Sequence, residues 1–273
     1  MENKYLLQDA NSPTSSNAST RSDMSLTKGL KLFFSPNTKR LLFAGILFLC
    51  SIGISAQQYT FISYSTENGL AQSQVSAMCQ DKGGYIWFAT FGGLSRFDGK
   101  SFVNYTKSDG LLDNQLYSIF IDSKNRILTG TIGGYSIYEN RKFSSYSFPK
   151  SYSNYNVVAI SEDKDGNLWF ALEGGGVVKN RNEKNTFYGE KNGIDPNIRH
   201  VYCDSRNRIW AATRSGLFYY GKNGFENFPI NGDSLKNISY VTEDHDKKLW
   251  IATYDEGIYA ETADNKFKNY STE

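Results

Sequence analysis

Short apolar stretches alternate with Gly, Asn and Asp along nearly all of the sequence after residue 57. The first complete block contains the stretches Val75 to Met78, Tyr85 to Thr90, Leu94 to Phe97 and Phe102 to Tyr105. Stretches of this length are typical of strands, and Gly, Asn and Asp supply the backbone angles that tight hairpins require. The pattern therefore predicts four short antiparallel strands per block and no long helix.

The same block recurs with a period of about 41 residues. Its most constant part is a hexapeptide centred on an apolar residue, at Trp87, Leu128, Trp169, Trp210 and Trp250. An Asp lies six residues before each centre, at Asp81, Asp122, Asp163, Asp204 and Asp244. Five such repeats predict an all-β fold, a β-propeller of five four-stranded antiparallel blades, with Trp in the core and Asp in hairpin turns.

A hydrophobic segment precedes the repeats. Residues 41–56 are apolar and follow Lys39 and Arg40. Because a membrane-spanning helix needs about 20 residues, this run predicts the core of a signal peptide, cleaved near Gln57. Residues 1–40 are predicted to be a disordered tail and n-region, with Met1 or Met24 as the start, and residues 57–273 to be the propeller. The protein is expected to be periplasmic or exported, and anchoring in a membrane by residues 41–56 is the alternative.

Charge and composition exclude several classes of function. The chain has 30 Lys and Arg against 28 Asp and Glu, a net charge of +2, which leaves no basic surface typical of nucleic-acid binding. Two His and three Cys residues leave little for a zinc site. Neither a metal nor a cofactor is predicted.

The repeat resembles the two-component regulator propeller repeat, in its Asp turn, its hexapeptide, its Gly-Leu pair and its closing Phe-x-x-Tyr. Asn68-Gly69-Leu70 and Asp109-Gly110-Leu111 join the blocks in the same style, whereas Leu128 departs from the pattern by replacing Trp. The resemblance covers residues 59–273. It implies the periplasmic sensor region of a hybrid two-component histidine kinase from Bacteroidetes-type bacteria, built on seven-bladed rings, with an oligosaccharide-type ligand.

The resemblance also implies what lies outside the repeats. A protein partner or a homodimer would form through downstream regions, and contact with a membrane would come only from an uncleaved leader or a C-terminal region. Neither His200 nor His245 lies in a helical pattern, so the chain is not expected to be the kinase itself, whose activity would reside in a C-terminal region. By the resemblance, the propeller is expected to sense a ligand and not to be an enzyme. The sequence contains six predicted outer strands, counting Phe61 to Tyr64, but only five sets of the inner strands of a blade. The extra outer strand predicts that the chain is an incomplete arc of a seven-bladed ring.

Ligand-binding residues are expected where the repeats differ, in loops on one face of the ring. The candidates are polar or aromatic: Phe91, Asn114, Gln115, Asn156, Glu173, Arg199, His200, Arg214, Tyr254 and Asp255. Aromatic and planar polar side chains suit sugars through stacking and paired hydrogen bonds. No catalytic residue is predicted, because the acidic groups and His200 lie on different repeats. A structural or protein-interaction propeller, and a propeller lyase or hydrolase, are the alternative functions.

Overall fold

The computed structural model describes residues 61–263 and 265–271, and within them the chain forms five four-stranded antiparallel sheets. The strands follow each other in sequence order within every sheet: β1 (Val75–Gln80), β2 (Ile86–Thr90), β3 (Gly93–Phe97) and β4 (Phe102–Tyr105) in blade 1; β5 (Leu116–Ile121), β6 (Ile127–Thr131), β7 (Gly134–Glu139) and β8 (Lys142–Ser147) in blade 2; β9 (Val157–Glu162), β10 (Leu168–Leu172), β11 (Gly176–Arg181) and β12 (Lys184–Tyr188) in blade 3; β13 (Ile198–Cys203), β14 (Ile209–Thr213), β15 (Leu217–Gly221) and β16 (Gly224–Asn227) in blade 4; β17 (Ile238–Glu243), β18 (Leu249–Thr253), β19 (Ile258–Ala263) and β20 (Lys266–Tyr270) in blade 5. The first strand of each blade is the innermost, because it contacts the first strand of the next blade. The predicted propeller blades are confirmed, whereas the predicted tail at 1–40 and signal segment at 41–56 lie outside the described residues.

The recurring Asp organises the hairpin between the first two strands and also holds the Trp. In blade 1, Asp81 Oδ1 accepts hydrogen bonds from the backbone N–H groups of Gly83 (2.8 Å) and Tyr85 (3.0 Å). Its Oδ2 accepts a hydrogen bond from Trp87 Nε1 at 2.8 Å. The same Trp-to-Asp bond spans 2.8 to 2.9 Å in blades 3, 4 and 5. The six-residue spacing of Asp and Trp is therefore a hydrogen-bonded clamp as well as a turn.

Blade 2 shows what replaces the clamp when Trp is absent. Leu128 is fully buried but has no N–H to offer. Instead, Arg126 Nε donates to Asp122 Oδ2 at 2.6 Å, and the Asp122 side chain is fully buried. A charge-assisted hydrogen bond thus satisfies the second carboxylate oxygen, and blade 4 makes the same bond, from Arg208 Nε to Asp204 Oδ2 at 2.6 Å, in addition to the one from Trp210.

The core lies between blades rather than within them. The buried apolar residues of the described chain fall into four clusters, each shared by two successive blades. Trp87, for example, stacks on Tyr105 of its own blade and lies 5.3 Å, between ring centroids, from Tyr138 of the next. Each blade therefore completes the core of the preceding one, as repeat proteins with stacked units do.

The described series of blades is open at both ends, as predicted. Within the described residues, blades 1 and 5 share no core cluster. Met78 of blade 1 is 70% exposed, and Tyr240 of blade 5 is 50% exposed. Trp250 is partly exposed because no following blade covers it within the described residues, whereas Trp169 is 1% exposed. A seven-bladed complete ring stays a prediction.

The predicted extra outer strand at Phe61 to Tyr64 is not a strand. The described residues supply no preceding blade to which this segment could hydrogen-bond. Tyr64 nevertheless packs on Phe97 and Phe102, with ring centroids 4.8 and 5.9 Å apart. Tyr105, one repeat later, contacts the equivalent rings of blade 2 in the same way. This segment therefore packs its side chain as an outer strand would, but it does not form the backbone hydrogen bonds of a strand.

The Asn/Asp-Gly-Leu links between the first blades are single 3₁₀ turns rather than strands. The first spans Thr66–Asn68: Asn68 Oδ1 accepts from the N–H of Ser65 at 2.9 Å, and Gly69 follows with φ +102°. The second, Lys107–Asp109, ends at Gly110 in the same way, and the others are Lys150–Tyr152 and Glu190–Asn192. Throughout the part of the chain that the structure describes, helices are too short to cross a membrane.

Candidate ligand-binding site

Every inner strand carries a β-bulge at its second residue. In β13, Ile198 pairs with Thr213 and His200 with Ala212, so Arg199 has no partner opposite it in the ladder. The same register shift recurs in the other four blades and leaves the equivalent residues unpaired: Ser76, Tyr117, Val158 and Ser239. A bulge frees a side chain from strict strand alternation and re-aims it, often beside a functional site. The bulged position also differs chemically in most blades, unlike the Trp segment.

The inner strands of this open series of blades line a central cavity of about 470 Å³. Four of the five bulged residues line it, namely Ser76, Tyr117, Val158 and Arg199. Ser76 turns its hydroxyl to the protein, because Oγ donates to the Leu116 carbonyl oxygen at 2.7 Å. Tyr117 and Arg199 are therefore the bulged residues that bring polar groups to the cavity. We call its end beside these two residues the channel mouth.

Aromatic rings flank the channel mouth on two sides. On one side, Phe91 and Tyr117 have ring centroids 5.3 Å apart. On the other side, the guanidinium carbon of Arg199 lies over the Tyr254 ring at 4.4 Å from its centroid. Burial, and then the carboxylates of Glu173 and Asp113, raise the pKa of Tyr117. Its hydroxyl therefore stays protonated at neutral pH and is available as a donor.

Carboxylates at the rim are oriented by neighbouring amides. Asn156 Nδ2 donates to Glu173 Oε2 at 3.1 Å, and Asn237 Nδ2 donates to Asp255 Oδ2 at 2.6 Å. In both pairs, the amide precedes an inner strand and the carboxylate lies in the loop that follows the second strand. The pairs leave carboxylate oxygens free to accept further hydrogen bonds.

His200 lies deeper than the predicted loop position, inside β13. It lines the cavity and stacks on Tyr240, with ring centroids 3.8 Å apart. Burial lowers the pKa of His200 to about 4, although a hydrogen bond to the Val241 backbone opposes this. The imidazole is therefore neutral at pH 7.

Three other predicted residues do not line the cavity. Asn114 Oδ1 accepts from the backbone N–H of Lys107 at 2.8 Å and so supports the link between blades 1 and 2. The Gln115 carbonyl oxygen accepts from Thr131 Oγ1. Arg214 is exposed in its loop, outside the cavity wall. Of the ten predicted residues, only Arg199 and His200 line the cavity, while Phe91, Asn156, Glu173, Tyr254 and Asp255 make the contacts described at its rim.

Sequence reasoning missed Tyr117 and Tyr240. Aligning the repeats at the second residue of the inner strand, where Ser, Tyr, Val, Arg and Ser occur, would have found Tyr117.

The described residues give no support for a metal site or a reactive thiol at this cavity. No group of three His, Cys, Asp or Glu side chains suited to a metal occurs among residues 61–263 and 265–271. Burial raises the pKa of the Cys203 thiol to about 12, so it is protonated at neutral pH.

A protein-family model confirms the resemblance of the repeats. The model of the two component regulator propeller matches residues 69–92 and 151–174, which include the Trp hexapeptides of blades 1 and 3. Those two segments therefore match the two-component regulator propeller repeat. The search of curated proteins gave no match.

Solved structures with the same fold include extracellular domains. One is the extracellular domain of a proposed hybrid two component system from B. thetaiotaomicron, with a TM-score of 0.62 and 24% identity over 78% of this chain. This chain spans 29% of the length of that domain. The similarity establishes the propeller fold of these repeats.

Propellers of other functions are similar as well. A catalytically inactive virginiamycin B lyase from Staphylococcus aureus, solved with quinupristin, has a TM-score of 0.64 and 15% identity, over 78% of this chain and 74% of the lyase. PorZ, a surface component of the type-IX secretion system of Porphyromonas gingivalis, has a TM-score of 0.55 and 13% identity, over 78% of this chain and 35% of PorZ. Fold alone therefore does not assign the function, and the site must do so.

Proposed function

We propose that this chain is the exported, ligand-sensing propeller of a two-component signalling receptor, and that it binds an oligosaccharide at the channel mouth without catalysing a reaction. The observation that carries the proposal is that residues which differ from one repeat to the next lie together at one cavity. The second residue of the inner strand is bulged in every blade and differs between blades, and it supplies Tyr117 and Arg199 to that cavity. The regulator propeller repeats and the extracellular sensor domain with the same fold support the signalling role.

The chemistry of the rim suits a sugar. Phe91 and Tyr254 offer aromatic faces on two sides of the mouth, and pyranose rings present C–H groups that stack on such faces. Glu173 and Asp255 offer oriented carboxylates that accept hydrogen bonds from sugar hydroxyls. A ligand across the mouth would contact several blades at once and could therefore alter their packing.

The absence of catalysis is supported by the state of the acid and base candidates. His200 is held by stacking on Tyr240, and its neutral form is favoured by burial. Within the described residues, Glu173 takes its hydrogen bond from Asn156 and none from His200. General acid and base groups must converge on one substrate bond, and these two belong to different blades.

Binding is tested with the full chain on a glycan array, followed by calorimetric titration of the best oligosaccharide. We expect Tyr254→Ala to weaken binding at least tenfold, because it removes a stacking face and the support of Arg199. Tyr85→Ala is the matched control: Tyr85 is 38% exposed and does not line the central cavity, so its loss should leave affinity within twofold.

Two other outcomes would replace the proposal. Consumption of the bound glycan, seen by mass spectrometry of the products, would make the chain a propeller lyase or hydrolase. Stable capture of a protein together with a blank glycan array would make it an interaction propeller.

Export is tested separately. N-terminal sequencing of the protein recovered from the periplasm should begin near Gln57, since residues 41–56 have the composition of a signal peptide. A membrane-bound product that retains Leu41 would indicate an anchor instead. Signal transmission would require a protein partner, or a homodimer, formed through regions downstream.

A further inference from the structure

Arg199 is an unpaired cation at the channel mouth. Its Nη1 is buried and has no hydrogen-bond partner among the described residues. Nor does any Asp or Glu of the described chain lie within ion-pair distance of it. A buried guanidinium N–H without a partner costs free energy, so a ligand oxygen that satisfied it would bind favourably.

The guanidinium is also oriented. Tyr254 lies under its carbon at 4.4 Å, and the bulge in β13 fixes the backbone from which it projects. Stacking on an aromatic ring holds the guanidinium plane and leaves the nitrogens other than the buried Nη1 at the accessible edge. That edge matches the two oxygens of a carboxylate, which accept parallel hydrogen bonds from Arg.

A second unpaired polar atom lies in the same wall. His200 Nδ1 is buried without a hydrogen-bond partner among the described residues, although the ring has a hydrogen bond to the Val241 backbone. A neutral imidazole with one N–H engaged leaves the other nitrogen as an acceptor. The cavity thus offers a cationic donor and a neutral acceptor on adjacent residues, which suits an oxyanion beside a hydroxyl.

Carboxylates near the cavity do not compensate Arg199. Glu162, at the far end of the inner strands, accepts hydrogen bonds from the N–H of Ser123 at 2.6 Å and from its hydroxyl at 3.1 Å. Glu173 and Asp255 are held by their amide partners at the rim.

From this arrangement we propose that the channel mouth recognises a carboxylate on its ligand, with Arg199 as the binding residue, so that the oligosaccharide sensed is acidic and contains uronic acid. The inference rests on the proposed function and narrows its ligand class. His200 Nδ1 accepts a hydrogen bond from a hydroxyl of the same sugar, and Tyr254 positions the guanidinium.

The test uses calorimetric titration of the full chain with two matched probes. One is a uronic-acid tetrasaccharide, and the other is the same tetrasaccharide with its carboxyl groups reduced to alcohols. We expect the acidic probe to bind at least tenfold more tightly than the reduced one. This comparison uses the unaltered protein and so does not depend on how any variant folds.

Variants then test whether Arg199 is the residue that recognises the carboxylate. Arg199→Gln should remove the preference for the acidic probe, so that the acidic and the reduced probes then bind with affinities within about twofold of each other. Arg214→Gln is the matched control, because Arg214 is exposed in a loop of the same blade outside the cavity wall, and it should keep the preference.

Each contrary result has a distinct meaning. Equal binding of both probes would overturn the acidic ligand and leave an oligosaccharide sensor standing. Failure of the glycan array and of both probes would overturn the proposed function and this inference together. Tighter, Arg199-dependent binding of a sulfated tetrasaccharide would overturn the carboxylate as the group recognised.

Discussion

Replacing Asp163 with Ala should reduce the stability of the propeller strongly, because its carboxylate is the centre of a buried clamp. Oδ2 accepts from Trp169 Nε1 at 2.8 Å and from Asn167 Nδ2 at 2.8 Å. Oδ1 accepts from the backbone N–H of Asn167 at 2.9 Å and from that of Asp165 at 3.1 Å. Asp163, Asn167 and Trp169 are all buried.

The expected loss follows from the donors that remain. Asp163→Ala would leave Trp169 Nε1 and the Asn167 amide groups without partners, and each unsatisfied buried donor costs roughly 1–3 kcal/mol. Water that enters the space of the lost carboxyl would recover part of this. We therefore expect the free energy of unfolding to fall by about 4 kcal/mol, a large share of the roughly 5–15 kcal/mol that stabilises a typical domain.

Urea denaturation followed by circular dichroism measures this effect. Asp165→Ala is the matched control: Asp165 lies in the same turn but is exposed, so its loss should change the unfolding free energy by less than about 0.5 kcal/mol. Trp169→Phe keeps a ring in the core while removing the N–H donor, and should cost less than Asp163→Ala. If Asp163→Ala lost no more than about 1 kcal/mol, the clamp would not be the stabilising element that its geometry indicates.

The clamp also has a pH dependence. Burial raises the pKa of Asp163, but the hydrogen bonds from Asn167 and Trp169 outweigh it, so the pKa lies below the ordinary value of 3.8. A carboxyl with a lowered pKa stabilises the fold above its unfolded pKa, and this stabilisation is lost as pH falls through the folded pKa. Asp163→Asn should therefore weaken the loss of stability below about pH 4, measured as urea midpoints at successive pH values.

Three further predictions concern other parts of the propeller. His200 has its pKa lowered to about 4 by burial, so the unfolded chain takes up a proton first and stability should fall between about pH 6.5 and 4; His200→Gln should flatten that slope in urea midpoints. Trp169→Ala should cost about 3–5 kcal/mol and Trp250→Ala less than half as much, because Trp250 is partly exposed; equal losses in thermal melts would show that a further contact covers Trp250. Gly130→Ala should destabilise strongly, since an added Cβ would lie 2.5 Å from the Val157 carbonyl oxygen, whereas Gly189→Ala meets nothing within 4 Å and should be nearly neutral in the same melts.

The period of the sequence was enough to predict the strands of each blade, because the repeats have the same types of residue at their core positions. The predicted stretch Phe102 to Tyr105 coincides with β4, and Trp87, Trp169 and Trp210 are at most 2% exposed, as core positions should be. The hydrogen bond of Trp to Asp was not predicted, although both residues recur together at a fixed spacing of six. Two residue types that recur at a fixed spacing can indicate contact as well as common position.

The site was harder to predict, because hydropathy does not reveal a bulge. Consecutive residues of each inner strand line the cavity, Arg199 and His200 among them, so strand alternation does not single out the binding residues; only the ladder shows that Arg199 is unpaired. Asn114 varies between repeats like the binding candidates, but its side chain supports the link between blades 1 and 2. Variation alone therefore does not distinguish a ligand contact from a local hydrogen bond, and the backbone geometry is needed to separate them.

The bulge in each inner strand has a consequence for how such a protein changes over time. A residue without a ladder partner can be exchanged without altering the register of the sheet, and the bulged positions already hold Ser, Tyr, Val and Arg in one chain. New ligand preferences could therefore arise by substitution at the bulged sites that line the cavity and have no side-chain bond to the protein, with little loss of folding. A combinatorial library that randomises Tyr117, Val158 and Arg199 would be a compact route to propellers with altered specificity.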